Sequence, residues 1–359
     1  MFLSAGLNVR LLSFVRLFCI GLLARFSMNM KLYFIAANML FLTSAANSAW
    51  AVEVSDQLEV AGAAELEYGA NRGTEGNEYG TAISKAEFGA AIKPNDKVEA
   101  RVKWLYEEDL KAVGTPLEVD EANAIWHVRP ENKLDITAGK KYLKFGSFDT
   151  NMVSDPLTLD LGETRQDKVL EVTSKQGNFN TTGYVFSGTA PKIDGTGKHK
   201  SGYGFSVGYE SEKVNAGVDY LSNLAESKAF VDHNSVTKKV PAMALYASTS
   251  LGGVALKAEH LTAVKSFQAG DLEETITSAA KPSATHIEAD LDLKKERVLA
   301  LSANKTSNAE EIGLPKNNYG ITYAQPLYKN ISGGIELARA KNYDATTDKS
   351  LTMKLSYEF

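Results

Sequence analysis

The sequence predicts an all-β protein, a transmembrane antiparallel β-barrel of about 16 strands, on three observations. From residue 57 onward, segments of ~10 residues alternate apolar and polar side chains. The connections between these segments alternate between short and long. The chain closes on Phe359 with an apolar residue at every second position before it.

The alternation is plain in particular segments. In the first, Leu58, Val60, Ala64, Leu66 and Tyr68 point one way and Gln57, Glu59, Glu65 and Glu67 the other. In the third, Val98, Ala100, Val102, Trp104 and Tyr106 alternate with Lys97, Glu99, Arg101, Lys103 and Glu107. The last sets Leu351, Met353, Leu355, Tyr357 and Phe359 against Ser350, Thr352, Lys354, Ser356 and Glu358. The same reading places strands at 57–68, 81–93, 97–106, 119–129, 134–142, 168–174, 180–187 and 202–210. The second half follows at 213–221, 240–249, 253–262, 285–294, 297–304, 318–325, 331–341 and 350–359. Ten residues at ~3.3 Å each, tilted by ~45°, rise roughly 23 Å, which matches an apolar band of ~25 Å. Tyr106, Trp126, Tyr142, Tyr203, Tyr220, Tyr319, Tyr323 and Tyr357 fall near strand ends, as an interfacial girdle requires. A general preference of aromatics for strands explains their presence but not that bias.

The connections choose between a soluble sandwich and a membrane barrel. Pro94-Asn95-Asp96, Pro130 to Lys133, Glu210 to Lys213, Leu251-Gly252-Gly253 and Lys294-Lys295-Glu296 are short. Gly69 to Gly80, Glu108 to Glu118, Ser222 to Lys239, Ala263 to Ala284 and Lys305 to Asn317 are long. Short periplasmic turns and long external loops characterise outer-membrane barrels, and an even strand number leaves both termini on the periplasmic side.

The N-terminus reads as targeting. Residues 1–51 hold Arg10, Arg16, Arg25 and Lys31 and no acid. Lys31, the apolar run Leu32 to Ala46 and Ala49-Trp50-Ala51 make residues 28–51 a signal peptide, with an anchor helix the plain alternative. Residues 1–27 read as an extension from a mis-assigned start, and residues 52–359 as the barrel. The one cysteine, Cys19, falls in the removed part, so no disulfide is expected. The remaining chain carries 35 basic and 44 acidic side chains, net −9, which excludes a nucleic-acid partner. Mean hydropathy is −0.21, and no later stretch approaches the ~18 apolar residues of a membrane helix. Crossing therefore falls to strands.

Catalytic patterns are lacking. His127, His199, His233, His260 and His286 are scattered, and no nucleophile elbow, zinc-protease motif or P-loop occurs. No cofactor, metal or enzymatic activity is expected. Glu288, Asp290 and Asp292 read as a water-facing lumen stripe rather than a metal site. Lys97, Arg101 and Lys103, with Lys141 two strands later, are read as solute-pathway groups forming a basic wall. Asp149, Asp155, Asp160, Glu163 and Arg165 lie in the third external loop, residues 143–167. That loop also carries Phe145, Phe148, Met152, Val153, Leu157, Leu159 and Leu161, too apolar for disorder. It is expected to fold into the lumen and narrow it, where a loop packed over the rim is the alternative.

The run Gly139-Lys-Lys-Tyr-Leu-Lys-Phe-Gly-Ser-Phe-Asp149, followed by Ser154-Asp-Pro-Leu-Thr-Leu-Asp-Leu-Gly-Glu-Thr-Arg165, resembles siderophore porins of the legiobactin-uptake type from Legionella and related Gammaproteobacteria. The resemblance implies an outer-membrane barrel that takes up an iron-loaded siderophore; it carries no residue-level binding site. The expectation is a channel for a ferric siderophore or similar small chelate, working without TonB because no room for a plug precedes the first strand. A general diffusion porin is the second reading and an outer-membrane enzyme the third. Expected partners are outer-membrane lipid, the barrel-assembly machinery through Phe359, and the ferric chelate. A homo-trimer fits this class, although no subunit face is marked.

Overall fold

A computed structural model describes residues 52–73, 76–108, 116–129, 133–192, 197–230, 236–271, 278–294 and 296–359. The expected extension, 1–27, the expected signal peptide, 28–51, and His233 lie outside the described residues. The first strand is short, β1 (Val52–Ser55). It is followed by β2 (Leu58–Gly73), β3 (Gly76–Asn95), β4 (Val98–Tyr106), β5 (Glu118–Arg129), β6 (Leu134–Tyr142), β7 (Arg165–Gln176), β8 (Phe179–Phe186) and β9 (Gly202–Glu210). Then come β10 (Val214–Leu221), β11 (Ala242–Leu251), β12 (Val254–Ala263), β13 (Ser283–Leu293), β14 (Arg297–Ser307), β15 (Asn317–Tyr328), β16 (Ile331–Lys341) and β17 (Thr347–Glu358). Each of β2 to β17 pairs antiparallel with its sequence neighbour, and β17 pairs with β2, so 16 strands close into a barrel. Closure satisfies every ladder within the sheet, which a lipid environment demands.

The seam shows what the terminal aromatic does. Leu355 lies opposite Leu66 and Tyr357 opposite Ala64. Phe359 then exchanges two 3.0 Å backbone hydrogen bonds with Gly62. A side-chain carbon at Gly62 would stand 2.6 Å from the Phe359 ring, so glycine makes the seat for it. Beyond that point β2 continues and β17 has ended. There β1 pairs instead, with Val52 opposite Val60 and Ser55 opposite Leu58.

The two faces are inverted relative to a soluble protein. Leu245 and Ile287 are 51% and 56% exposed, while Glu288, Asp290 and Glu336 are about 1% exposed or less. Aromatic pairs cover the outside: Phe88 stacks on Trp104 at 5.9 Å and Phe205 on Tyr220 at 5.3 Å. Only a surrounding of lipid makes such a surface favourable.

Three expectations are corrected. Gly69 to Gly80 is not a loop. Asn71 pairs with Glu78 and Gly73 with Gly76, because β17 extends beside them (Lys349 opposite Arg72) and offers a ladder to residues with little strand preference of their own. The third connection, 143–164, carries one helix, α1 (Leu157–Gly162), and its following strand starts at Arg165 rather than 168. Tyr142 does not belong to an outward girdle. A register irregularity between Gly139 and Lys141 turns the end of β6, and the Tyr142 hydroxyl donates to the buried Asp120 at 2.9 Å.

Apolar packing gathers inside the outer end of the barrel, over β7 to β14. Leu143, Phe145, Leu157 and Leu161 from the third connection meet Leu221, Leu224, Phe230, Leu261 and Phe267. Phe230 and Phe267, from two different external loops, stack at 5.0 Å.

Candidate functional site: a carboxylate-fastened strap in the lumen

Residues 143–164 leave the wall at β6 and return at β7, their base closed by Leu143 N–H donating to Thr164 O at 2.8 Å. Between these points the segment runs along the inner faces of β10 to β16. Gly146 sits at φ 89° and Phe148 at φ 54°. A side chain on Gly146 would meet the Phe148 ring at 2.4 Å, so this turn requires glycine.

Five inward carboxylates hold the strap by its own N–H and hydroxyl groups. Gly146 N–H donates to Asp219 on β10 at 2.7 Å. Ser147 N–H and Phe148 N–H donate to Glu259 on β12 at 2.7 and 3.2 Å, and the Thr158 hydroxyl joins them at 2.7 Å. On β13, Glu288 accepts from Asn151 N–H at 2.7 Å and from the Thr150 hydroxyl, while Asp290 accepts from the Asn151 amide at 2.7 Å. Glu336 on β16 accepts from Val153 N–H at 2.8 Å and from Ser154 N–H at 3.1 Å. A connection of this length has no ladder for its donors, and each buried donor must find an acceptor. The wall supplies ionic ones, which make the stronger class of hydrogen bond.

Lys257 stands at the centre of the arrangement, 3.1 Å from Glu288, 3.1 Å from Asp290 and 3.3 Å from Asp149. His286 approaches Glu288 at 3.2 Å and shares a 2.9 Å hydrogen bond with Asn304. The stripe of Glu288 and Asp290 is therefore covered by the strap instead of facing water. Among the described residues no group of His, Cys, Asp or Glu gathers as a metal site.

The basic candidates do not form a free wall. Arg101 is tied to Glu99. Lys103 lies 2.8 Å from Asp120 and 3.1 Å from Glu121. Lys141 is tied to Glu171. Arg165 reaches Glu118 at 2.7 Å and Asp120 at 2.6 Å. Lys97 sits exposed in the turn between β3 and β4. The physical reason is proximity: Arg101 has an acid two residues before it on its own strand, and Lys103, Lys141 and Arg165 each reach one on another strand.

The strap acids divide. Asp149 is taken up by Lys257, and Glu163 faces Lys228 at 3.9 Å. The carboxylates of Asp155 and Asp160 make no hydrogen bond or ion pair among the described residues. Enclosure within the barrel pushes the Asp160 carboxyl up to about 7, with Asp155 adding to the rise. Enclosure raises Asp155 as well, against Lys354 and Lys228, which pull it back. Two ionisable groups thus remain on the free side of the strap.

Asp219, Glu259 and Glu336 were not singled out by the sequence. Each is an acid at an inward position of an otherwise small or apolar segment, which was the available signal. Their strap partners are 73 to 183 residues away along the chain, which no local pattern reveals.

Comparison with known proteins gives a consistent picture. No family model matches the chain. A UPF0422 protein of Coxiella burnetii is 27% identical over 276 residues, 73% of this chain and 59% of the relative. A UPF0422 protein of Legionella pneumophila strain Philadelphia 1 is 23% identical over 293 residues, 74% of this chain and 55% of that protein. The chain thus spans little more than half the length of these relatives. Among solved structures, an anion-selective porin from Comamonas acidovorans superposes with a TM-score of 0.62 at 11% identity, covering 84% of this chain and 99% of the porin. Salmonella typhi OmpF, in a complex with daunomycin, gives 0.60 at 15%, covering 84% and 97%. The trimer form of Vibrio cholerae OmpT gives 0.52 at 12%, covering 85% and 100%. Such identities carry the fold alone. The chain folds as a porin-like β-barrel and is similar in sequence to UPF0422 proteins of Coxiella and Legionella.

Proposed function

We propose that the barrel is an outer-membrane channel whose solute is a ferric siderophore or a similar small iron chelate. The observation that carries the channel reading is the strap. A long connection held against one wall by five carboxylates narrows a 16-strand barrel from one side and leaves ionisable groups on its free side. The siderophore reading rests on the resemblance of Gly139–Asp149 and Ser154–Arg165, the residues that build the strap and its two ends. Passage without TonB coupling is part of the proposal. Its support is that the narrowing element is a loop of the barrel itself, whereas 22-strand transporters are plugged. Growth of a deletion strain under iron starvation with defined siderophores tests the solute, and the same assay in a host lacking TonB tests the coupling. Loss of growth on one siderophore, restored by the gene, is the expected result. Equal growth on all of them overturns the dedicated solute.

A general diffusion porin is the second reading. It is favoured by the pairing of Arg101, Lys103, Lys141 and Arg165 with acids, which leaves none of these four cations free for a chelate. Flux that depends only on solute size in reconstituted vesicles is its signature. We further propose assembly through Phe359 and a trimeric state, the latter by likeness to porins of which one is described as a trimer.

A further inference from the structure

The outer face of the barrel changes character within two residues at the external ends of β7 to β9. Leu170, Val185 and Tyr203 are level with one another across the ladders and half-exposed. The Tyr203 ring lies 6.0 Å from that of Tyr220 on β10, and Tyr220 stacks on Phe205. An apolar row ending in aromatics belongs at the boundary between hydrocarbon and headgroups. One residue further out, Val169, Phe186 and Gly202 are level and buried. The next outward positions are Lys168, Ser187 and Ser201, all exposed, with Ser187 N–H donating to Lys168 O at 3.0 Å. Two residues at ~3.3 Å each place them roughly 7 Å beyond the apolar row, at the depth of lipid phosphates.

Three lysines stand at this level. Lys168 is on the wall itself. The Lys239 ammonium donates to Ser201 O. Lys200 precedes Ser201 in a connection that His199 fixes, its N–H donating to Ala190 O at 2.9 Å and its Nε2 lying 3.0 Å from Val236 O. Lys168 and Lys200 are exposed, and neither has an ion pair among the described residues. Lys140, on the next strand, is taken up by Asp167 at 3.6 Å. The nearby acids Glu226 and Asp271 are buried and accept from the N–H groups of Thr189, Ala190 and Thr237. Asp194, Asp232, Glu273 and Glu274 lie outside the described residues. A cationic row thus lies directly above an apolar one, in a chain whose net charge is −5.

We infer that this sector is a docking surface for a lipid of the external leaflet whose headgroup carries more than one phosphate. Its acyl chains lie against Leu170, Val185 and Tyr203, and its phosphate oxygens accept from Lys168, Lys200 and Lys239. Charge complementarity selects this occupant. An amphiphile with an anionic head matches both rows at once, where a free anion would leave the apolar row unused. Lysines at a membrane surface attract anionic headgroups, each adding to the affinity. The surface lies on the outside of the barrel, so the inference goes beyond the proposed solute and does not depend on it.

The test uses diphosphoryl lipid A as the probe, titrated into the purified protein in neutral detergent and read as bound lipid by native mass spectrometry. Lys168→Gln combined with Lys200→Gln should weaken binding by about tenfold or more. Lys213→Gln combined with Lys294→Gln removes two exposed lysines from the short-turn end and should leave binding unchanged. Heat-modifiable mobility confirms that each variant is assembled. Equal loss in the two double variants would mean that only net charge matters, and it overturns the site, as does binding that the first variant leaves unchanged. Displacement of the lipid by inorganic phosphate at equal concentration overturns the lipid as occupant. A first variant that alters the oligomeric state and not lipid binding marks the sector as a contact between copies, which also overturns the inference.

Discussion

The behaviour of single residues in this barrel follows from where the water is. Asp160 is enclosed but unpaired, so its carboxyl titrates near neutrality, at about 7. Above that pH it carries charge, and below it the charge is lost. Cation preference, read as a reversal potential in a salt gradient, should therefore fall as pH drops from about 8 to about 6. Asp160→Asn should remove most of that dependence, and a variant that titrates like the parent would refute the assignment. The stability linkage has the opposite sense to that of a paired acid. Between the ordinary carboxylate range and about 7 the native state binds the extra proton, so stability declines as pH rises through this window. Glu259 gives a second residue-scale expectation. Glu259→Ala leaves two N–H groups and one hydroxyl of the strap without an acceptor, at roughly 1–3 kcal/mol for each buried group. A looser strap should appear as larger and noisier single-channel current, whereas unaltered conductance would mean the strap is held elsewhere.

At the scale of elements, the strap and the seam depend on contacts distant in sequence. The strap borrows acceptors from β10, β12, β13 and β16, so it forms only after those strands are in register. The seam depends on Phe359 meeting Gly62. Gly62→Val should displace the Phe359 ring and lower the fraction of folded, heat-modifiable barrel, while Gly183→Val, where a side chain meets nothing within 4 Å, should be tolerated. Similar losses at both sites would mean that glycine is needed for strand twist and not for the seat. The inward phase of β17 also has a consequence. Ser356 is 4% exposed on the inner face, so arginine there would meet packed neighbours and not open water.

For the whole molecule, the lipid-facing surface is the testable property. Ile287 lies midway along β13 on the outer face, and Leu251 ends β11 on the same face. Ile287→Arg should cost about 2–4 kcal/mol and Leu251→Arg about 0–1 kcal/mol in refolding into bilayers, because the penalty for a charge falls from midplane to interface. Equal costs would show that the barrel is placed wrongly in the membrane.

Sequence alone determined the barrel, because the pleat alternates with period two and a lipid-facing strand records that period residue by residue. Val98 to Tyr106 and Leu351 to Phe359 show it directly, and the count of 16 followed. It also marked residues 143–167 as an external connection whose apolar residues, Phe145 to Leu161, argue against disorder. It did not show that Arg101, Lys103 and Lys141 would be neutralised, since their partners sit on the same or neighbouring strands at positions where alternation marks only the face. Nor did it show that Gly69 to Gly80 would join the sheet, because the ladder there is provided by β17, far away in the chain. Tertiary structure decided what Asp219, Glu259, Glu288, Asp290 and Glu336 do. An inward acid has no intrinsic role; it acquires one when closure of the barrel brings a distant donor within hydrogen-bonding distance and excludes the water that would otherwise satisfy both.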